Sequence, residues 1–457
     1  MAKITIIGAG ISGLSTAFWL KQTGHEVTVL EKNAVPGGVI RTIREDGYLF
    51  ETGPNTFLDN VQETMDLCHE LKLHNELLKQ SMRDNDRFIY YQSKLHKVSP
   101  GPGFLKSELL TKACKRKMLT EPFRRGNRSK EDESLASFIR RRFGEDLLKN
   151  LVTPFVSGVY AGDPEKLSLR ATFPLLYDLE RQHGSVVRGG IMRAFFKKKK
   201  DAVKKKKRRT KNLCSFVDGM DVMIRAMAEA LGESLRTHCP IASVTYTPGQ
   251  GYTIATEAGE TRTADAVVLA VSSNQAADIA PTLLPQSAEY LRTIPYNRLS
   301  VVGLGYALEQ VQREINGFGF LVPREQDIRI LGSIWSSSLF PRRAPRGMYT
   351  FTVMIGGGLD PQSFDLSDAE LIDLAHRDLQ KAVGIAGDPV KTNLIRWERA
   401  IPQYPVGHMD HLETLEAERR STPGFFLVGN YMDGVSTNDC IYKAKQTVEE
   451  IQAYFTA

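Results

Sequence analysis

ITIIGAGISGLSTAFWLKQTGHEVTVLEKNAVPGGVIR, from Ile4 to Arg41, is the stretch whose reading decides the fold. Ile4 to Ile7 is a short apolar, β-branched run, the pattern of a buried strand. Gly8-Ala9-Gly10-Ile11-Ser12-Gly13 follows, then a helical pattern from Leu14 to Gln22 that stops at Gly24. A second strand, Val27 to Leu30, runs straight into Glu31 and Lys32. The spacing predicts a βαβ unit with G-x-G-x-x-G at its first turn. Gly8 permits the tight turn, Gly10 lets a pyrophosphate approach the backbone, and Gly13 lets the helix sit close to the strand. The helix start offers unpaired N–H groups and partial positive charge to that pyrophosphate. Glu31 is placed to accept hydrogen bonds from both hydroxyls of a ribose. Strand, helix, second strand and acid are all in place, which predicts dinucleotide binding.

The next residues narrow the nucleotide. Pro36-Gly37-Gly38-Val39-Ile40-Arg41 gives a longer cofactor a second stretch of glycine backbone and a cation, and Glu51-Thr52-Gly53-Pro54-Asn55 comes soon after. This run resembles the extended fingerprint of FAD-dependent oxidases in the amine oxidase and phytoene desaturase superfamily. FAD is the expected cofactor.

A chain of 457 residues is too long for one core and predicts two or three domains. No apolar stretch reaches the length of a membrane-spanning helix. A cleaved signal peptide is not expected, because cleavage would remove the phosphate turn. The five cysteines are scattered without metal-ligand spacing, which suits a reducing compartment, and a cytoplasmic protein is expected. The net charge of +7 conceals an asymmetry. Residues 192–211 carry +11 and residues 106–130 carry +7, so the rest of the chain carries −11. Aromatic interleaving and a recognisable nucleic-acid module are both absent, so nucleic acid is not an expected partner. An anionic membrane surface suits the two basic segments better, a solvated loop being the plainer alternative.

Along the chain, the pattern predicts a helix from about Asn60 to Leu73 and a hairpin of Asp86–Tyr91 with Lys94–Val98. A helix is expected from Ser134 to Lys149, with Leu135, Phe138, Ile139 and Phe143 on one face. The prolines and glycines of 153–164 argue against a long regular helix there. Further expectations are a helix over Asp221–Leu231, strands within Ile241–Ala255, and a parallel strand within Ala264–Val271. Residues 299–308 and 348–355 predict a second sheet, followed by a helix from Asp368 to Val383. Gly424–Asn430 reads as a strand, and Asn438–Tyr454 as a closing helix.

Nearly the whole chain resembles the oxygen-dependent protoporphyrinogen oxidase family. The resemblance rests on GAGISGL at 8–14, FETGPNTF at 50–57, PFVSGVYAGDPEKLSLRATFP at 154–174, LGSIWSSSLFPRRAP at 331–345, AIPQYPVGH at 400–408 and GNYMDGVSTNDC at 429–440. It implies an α/β + α architecture. A discontinuous Rossmann-like FAD domain of the p-hydroxybenzoate hydroxylase type would take 1–52, 211–274 and 420–457. A substrate domain on an antiparallel sheet would take 53–86 and 275–419, and a helical, basic, membrane-binding domain 87–210. It also implies three two-electron oxidations of a porphyrinogen, with dioxygen as acceptor and hydrogen peroxide as product. The flavin supplies the redox chemistry, so neither a catalytic triad nor a metal is expected.

Residues carry over one by one. Gly8, Ala9, Gly10, Ile11, Ser12, Gly13, Glu31, Lys32, Gly38, Val39 and Arg41 match flavin contacts. Gly53, Pro54, Asn55 and Thr56 match the segment beside the ring, and Val244 the segment that touches adenine. Val435, Ser436 and Thr437 match the loop over the pyrimidine end, Gly429 is expected to contact the cofactor, and Trp397 is expected near the flavin. Leu321 and Ile334 match residues that sandwich a pyrrole ring, and Gly158 and Gly162, in a family-specific run, are expected to bind the substrate as well. Met354 stands where some members have phenylalanine, yet a thioether still packs on a flat ring. Arg87 matches an arginine facing a substrate propionate; the plainer alternative pairs it with Asp84 or Asp86. Without the resemblance, most of these residues would be taken as core.

The implied partners are a porphyrinogen, dioxygen, an anionic membrane held peripherally at its inner face, a second copy of the chain, and the next enzyme of the pathway. Coproporphyrinogen oxidation is the nearest competing activity. A carotenoid desaturase, an amine oxidase and a prenyl-GTPase escort protein are more distant.

Overall fold

The computed structural model describes residues 1–82, 85–98, 106–127, 131–203 and 211–456, with the side chains of 196–203 outside that description. The chain forms two compact units, Met1–Lys79 with Asn212–Pro295 and Met409–Ala457, and Gln80–Lys211 with Tyr296–His408.

The first unit is built on a five-stranded sheet in the order Leu235–Arg236, Glu26–Leu30, Lys3–Ile7, Ala266–Leu269, Phe425–Leu427. All its pairings are parallel. Covered on both faces, the central strands are apolar at nearly every position instead of alternating. The helix Ile11–Gln22 follows the first strand and is buried continuously from Ser12 to Leu20. It packs against helices Asp221–Leu231 and Thr437–Thr456, so it is buried all round, with small Ser15 and Thr16 among its apolar residues, instead of amphipathic. Strands Ile241–Thr247, Gly251–Thr256 and Thr261–Ala264 form an antiparallel meander.

Residues 53–79, 275–295 and 409–419, assigned from sequence to the substrate domain, cluster with this first unit. Local bonds explain the difference. Phe57 and Leu58 pair with Cys214 and Leu213, and the Glu418 carboxylate accepts the N–H groups of Gln286 and Ser287 at 2.5 and 2.9 Å.

The second unit holds a seven-stranded sheet, in the order Lys391–Pro402, Tyr296–Ala307, Met348–Gly356, Gly332–Ile334, Gly319–Leu321, Arg87–Tyr91, Lys94–Lys97. Every pairing is antiparallel except Gly319–Leu321 with Arg87–Tyr91. The hairpin 87–97 is thus part of this sheet, and a domain boundary at residue 87 cuts it. One face of the sheet is closed. Val302, Leu304, Phe320, Phe351 and Val353 pack there with Leu371, Ala375 and Leu379 of helix Asp368–Leu379. That helix starts on a capping box in which Ser367 and Glu370 satisfy each other's N–H groups.

Most other regular elements among the described residues of the second unit are helices. The helix expected over 134–149 stops at Arg142, and Gly144 takes φ +109°, a backbone that breaks the run. Helical structure resumes at Glu145 and continues to Tyr160, through a widened turn over Leu148–Val152. Pro154 lies just past that turn, where the wider spacing relieves its missing N–H and its ring. Helices Pro174–His183 and Val186–Val203 follow, the latter running into the basic segment. Residues 204–210 of that segment lie outside the described residues.

A buried charge network holds these helices. Arg142 and Glu121 are paired and almost fully buried, at 1% and 0% exposure. Glu121 also accepts the Ser185 hydroxyl and the N–H groups of Val186 and Val187, which start the last helix. The Arg142 Nε lies 3.3 Å from Glu180. Burial alone would raise the Glu180 carboxyl, but the fork of Arg141 at 2.8 and 2.9 Å outweighs it and holds the group below the usual carboxylate range.

All five cysteines are free, four of them buried and Cys239 partly exposed. Burial pushes the Cys68 and Cys214 thiols up to about 12 and Cys440 up to about 11; Cys114 and Cys239 move in the same direction. Among the described residues, no helix is long and apolar enough to cross a membrane.

Candidate functional site

In the first unit, the candidate cofactor residues gather at the C-terminal ends of the parallel strands, where open α/β sheets bind ligands. Ala9 ties three of the turns together. Its N–H donates to Glu31 Oε2 at 2.7 Å, and its carbonyl accepts the Gly37 N–H at 2.7 Å. The other Glu31 oxygen accepts the Asn33 backbone N–H at 2.9 Å and side-chain amide at 2.6 Å. The acid is therefore buried and fixed in orientation at the end of its strand.

The three glycines of the turn have different reasons. Gly8 has φ +101°, and a Cβ there would lie 2.4 Å from the Ala270 carbonyl oxygen. At Gly13, a Cβ would lie 2.0 Å from the Gly8 carbonyl oxygen. Gly10 is in ordinary extended backbone, and a Cβ there would meet nothing within 4 Å. No protein neighbour needs Gly10 to be bare. The gap beside it, at a helix start, fits a pyrophosphate. A Cβ on Gly38 would come within 3.7 Å of the Gly10 Cα, so the second glycine turn borders the same gap.

Beyond that turn, Arg41 is exposed, with no hydrogen bond or ion pair of its side chain among the described residues. The Val39 carbonyl accepts the Thr52 hydroxyl at 3.1 Å, and a Cβ on Gly53 would lie 2.5 Å from that oxygen. This contact packs 52–53 onto the second turn. Pro54, Asn55 and Thr56 follow, partly exposed, with the Asn55 amide donating to the Gly53 carbonyl. Gly429 lies just beyond strand Phe425–Leu427, and a Cβ there would strike the Tyr431 ring at 2.7 Å.

Ser436 caps the last helix. Its hydroxyl accepts the Asp439 N–H at 3.2 Å, and its own N–H donates to the Asp439 carboxylate at 3.1 Å. Val435 and Thr437 flank that cap. Cys440, in the helix's first turn, lies beside Ser12 in the first turn of helix Ile11–Gln22. Two positive helix ends thus converge beside the glycine turns. Cys239 donates its N–H to the Glu31 carbonyl, which starts the meander beside the acid, but the Val244 side chain points into the core. Lys32 is exposed.

The candidate substrate residues share one face of the sheet in the second unit. Arg87 is opposite Gly319, which is opposite Ile334; Leu321 is opposite Gly332, which is opposite Met354. Val301 and then Ile395 continue the second row, and Trp397 is opposite Leu299 on the same face. Alternation therefore puts these side chains opposite the closed face of the sheet. Leu321, Ile334, Met354 and Trp397 are only partly buried, whereas Phe320, Ser333 and Val353 between them are closed off. Part of this face is covered by 153–162. A Cβ on Gly158 would lie 2.6 Å from Leu321 Cδ2, and one on Gly162 would lie 2.6 Å from Gln403 Oε1.

Arg87 lies at the rim of this face. Its guanidinium sits 5.3 Å from the Phe318 ring centroid, and burial alone lowers its pKa. Asp86 pairs with Lys97 at 2.6 Å and is not the partner of Arg87. The other expected partner, Asp84, is outside the described residues. Among the described residues, no carboxylate engages Arg87.

Sequence reasoning missed Gly319 and Gly332, where a Cβ would come 2.0 and 2.3 Å from the carbonyl oxygens of Ser333 and Phe320. It also missed Leu299 and Val301 as part of the apolar floor. The alternation through 299–303 carried a signal for the last two.

Residues 11–452 match the flavin containing amine oxidoreductase family. The chloroplastic protoporphyrinogen oxidase of Oryza sativa subsp. japonica is 33% identical, across 100% of this chain and 89% of its own. The coproporphyrinogen III oxidase of Bacillus subtilis (strain 168) is 29% identical, across 99% of this chain and 98% of its own. A solved structure of a candidate protoporphyrinogen oxidase from Exiguobacterium sp. 255-15 superposes with a TM-score of 0.81 at 25% identity, covering 99% of both chains. This chain belongs to the flavin-containing amine oxidoreductase family, and it is an FAD-dependent oxidase.

Proposed function

We propose that the chain oxidises protoporphyrinogen IX to protoporphyrin IX in three two-electron steps. Each step passes two electrons and two protons to one dioxygen, giving hydrogen peroxide. The observation that supports this most is the partly open apolar sheet face with an arginine, unpaired among the described residues, at its rim. A porphyrinogen is a broad apolar ring system with carboxylate arms, so it suits an apolar floor with a cation at the edge.

In this reading the parallel-sheet unit binds FAD, which supplies the two-electron chemistry when bound. Gly10 and Gly38 admit its pyrophosphate, Glu31 its ribose, and the Ser436-capped helix start its pyrimidine end. Leu321 and Ile334 hold the faces of a pyrrole ring, with Met354 packed against it. Arg87 fixes a carboxylate through planar, permanently charged donors.

A second reading, oxidation of coproporphyrinogen III, is favoured by the nearly complete mutual coverage with the Bacillus subtilis relative. An aerobic assay of the FAD-loaded protein with both porphyrinogens, read by porphyrin fluorescence, separates them. Preference for protoporphyrinogen is expected, and a clear preference for the tetracarboxylate gives the reaction to the second reading. Arg87→Ala should raise KM for protoporphyrinogen roughly ten- to a hundredfold, with a smaller fall in kcat, because a charge-assisted contact contributes about 1.5–3 kcal/mol away from the reacting carbon. Kinetics equal to the parent would remove Arg87 from the site.

The helical segment is proposed to rest on an anionic membrane at the cytoplasmic side. It carries both basic runs, and Leu119, Phe123, Phe155, Leu175, Ile191 and Phe195 are exposed large apolar side chains within it. Apolar contact and about 1 kcal/mol per cation near the surface would hold the protein reversibly. Deleting 197–211 should release it from anionic vesicles while activity on detergent-dispersed substrate persists. Vesicle binding that is unchanged and insensitive to salt would contradict an electrostatic anchor.

A further inference from the structure

On the closed side of the seven-stranded sheet, away from Leu321 and Ile334, the loop 322–331 and the end of helix Asp368–Leu379 line a solvent-open cleft of about 610 Å³. The loop joins strands Gly319–Leu321 and Gly332–Ile334. It is tied to the helix by Asp378, which is buried and accepts the N–H groups of Arg329 and Ile330 at 2.6 and 3.0 Å. The cleft is therefore a built feature, not a gap under a loose loop.

Four cations line it, and three are engaged. Arg329 forks onto both oxygens of Asp360 at 2.7 and 2.9 Å, Arg377 pairs with Asp373 at 2.9 Å, and Lys381 donates to the Asp327 carbonyl at 2.8 Å. Arg324 differs from these. Its guanidinium has no acceptor among the described residues, and its Nη2 is buried with no hydrogen-bond partner. Burial lowers its pKa; Asp360 opposes that through its charge but has given both oxygens to Arg329. A buried donor on a charged group is costly to leave unpaired, so such an orphan calls for an explanation. Ile328, Ile330 and Leu374 add apolar wall to the same cleft.

We propose that this cleft binds a small organic anion, with a carboxylate or phosphate head on Arg324 and its apolar body against Ile328 and Leu374. The site is separate from the proposed substrate face and does not rest on the porphyrinogen reading.

The test uses the FAD-loaded full chain and three probes measured by calorimetry: phenyl phosphate, benzoate and neutral benzyl alcohol. At least one anion should bind saturably, and benzyl alcohol should not; which anion binds identifies the head group. Arg324→Gln should weaken binding roughly tenfold or more, the loss of one charge-assisted contact. Arg87→Gln should leave that affinity unchanged. Probe-free Arg324→Met should be at least as stable to heat as the parent, because it removes a buried charge that lacks a partner. The proposal is overturned if neither anion binds, if benzyl alcohol binds equally, if Arg324→Gln binds as the parent does, or if Arg87→Gln alone abolishes binding. A large loss of stability in Arg324→Met would also overturn it, by making Arg324 structural.

Discussion

Gly10→Val protein is expected to purify folded and colourless. A Cβ at Gly10 meets no protein atom within 4 Å outside its chain neighbours, and the Gly10 backbone is one that valine adopts without strain. Folding should therefore be nearly unaffected. The same methyl groups fill the gap where the pyrophosphate must come against bare backbone, so flavin retention should be lost. Gly13→Val is the contrast. Its Cβ would come 2.0 Å from the Gly8 carbonyl oxygen, forcing helix and strand apart, and that protein should fail to fold. Visible flavin absorbance after reconstitution, with circular dichroism as the fold control, checks both variants. Yellow Gly10→Val protein would refute this placement of the cofactor.

Arg142→Ala is expected to cost the second unit about 3–5 kcal/mol, because it strands buried carboxylates instead of merely deleting a contact. Glu121 loses its cation while fully buried, and Glu180 keeps the fork of Arg141 and the Asn127 N–H as its compensation. Because Glu121 also caps the start of helix Val186–Val203, the damage should spread to that helix. At roughly 2–4 °C per kcal/mol for a unit of this size, the melting temperature should fall by about 10 °C. Arg140→Ala is the control. That arginine pairs with Glu145 and Glu165 in solvent and should contribute less than about 1 kcal/mol. Equal losses in the two variants would show that burial is not what matters in the network.

Much of the first unit was legible because its signals are local. The glycine turn, the acid after the second strand and the helix 221–231 each declare themselves within a few residues, and they fell where expected. What sequence could not show is that the three glycines act for different reasons, since Gly8 and Gly13 are constrained by neighbours while Gly10 is not. The second unit was harder to read. Strands Gly319–Leu321 and Gly332–Ile334 are only three residues each, too short for any alternation to show. Their place on the sheet comes from pairing with distant strands. Leu321, Ile334 and Met354 were accordingly named by resemblance, and their common face emerged only from register. The helix over 134–149 failed at Gly144, where one left-handed residue outweighed a continuous apolar face. Val186–Val203 went unread because its like charges argue against a helix, whereas Glu121, distant in sequence, caps its start.

The state of the thiols bears on how the protein would survive its own chemistry. Under the proposed reaction, every turnover releases hydrogen peroxide, and peroxide attacks thiolate, not thiol. Burial keeps Cys68, Cys214 and Cys440 protonated far above neutral pH, and Cys440 lies one helix turn from the cap proposed to meet the flavin. Cys239, on the chain entering the meander, is the one cysteine that is only partly buried, although that burial raises its thiol too. After prolonged turnover, mass spectrometry should find sulfinic or sulfonic acid at Cys239 first, with the other thiols intact. Oxidation of Cys440 as early as Cys239 would contradict this. On this view the fold tolerates cysteines close to an oxidant source by denying them the ionised form through which damage begins.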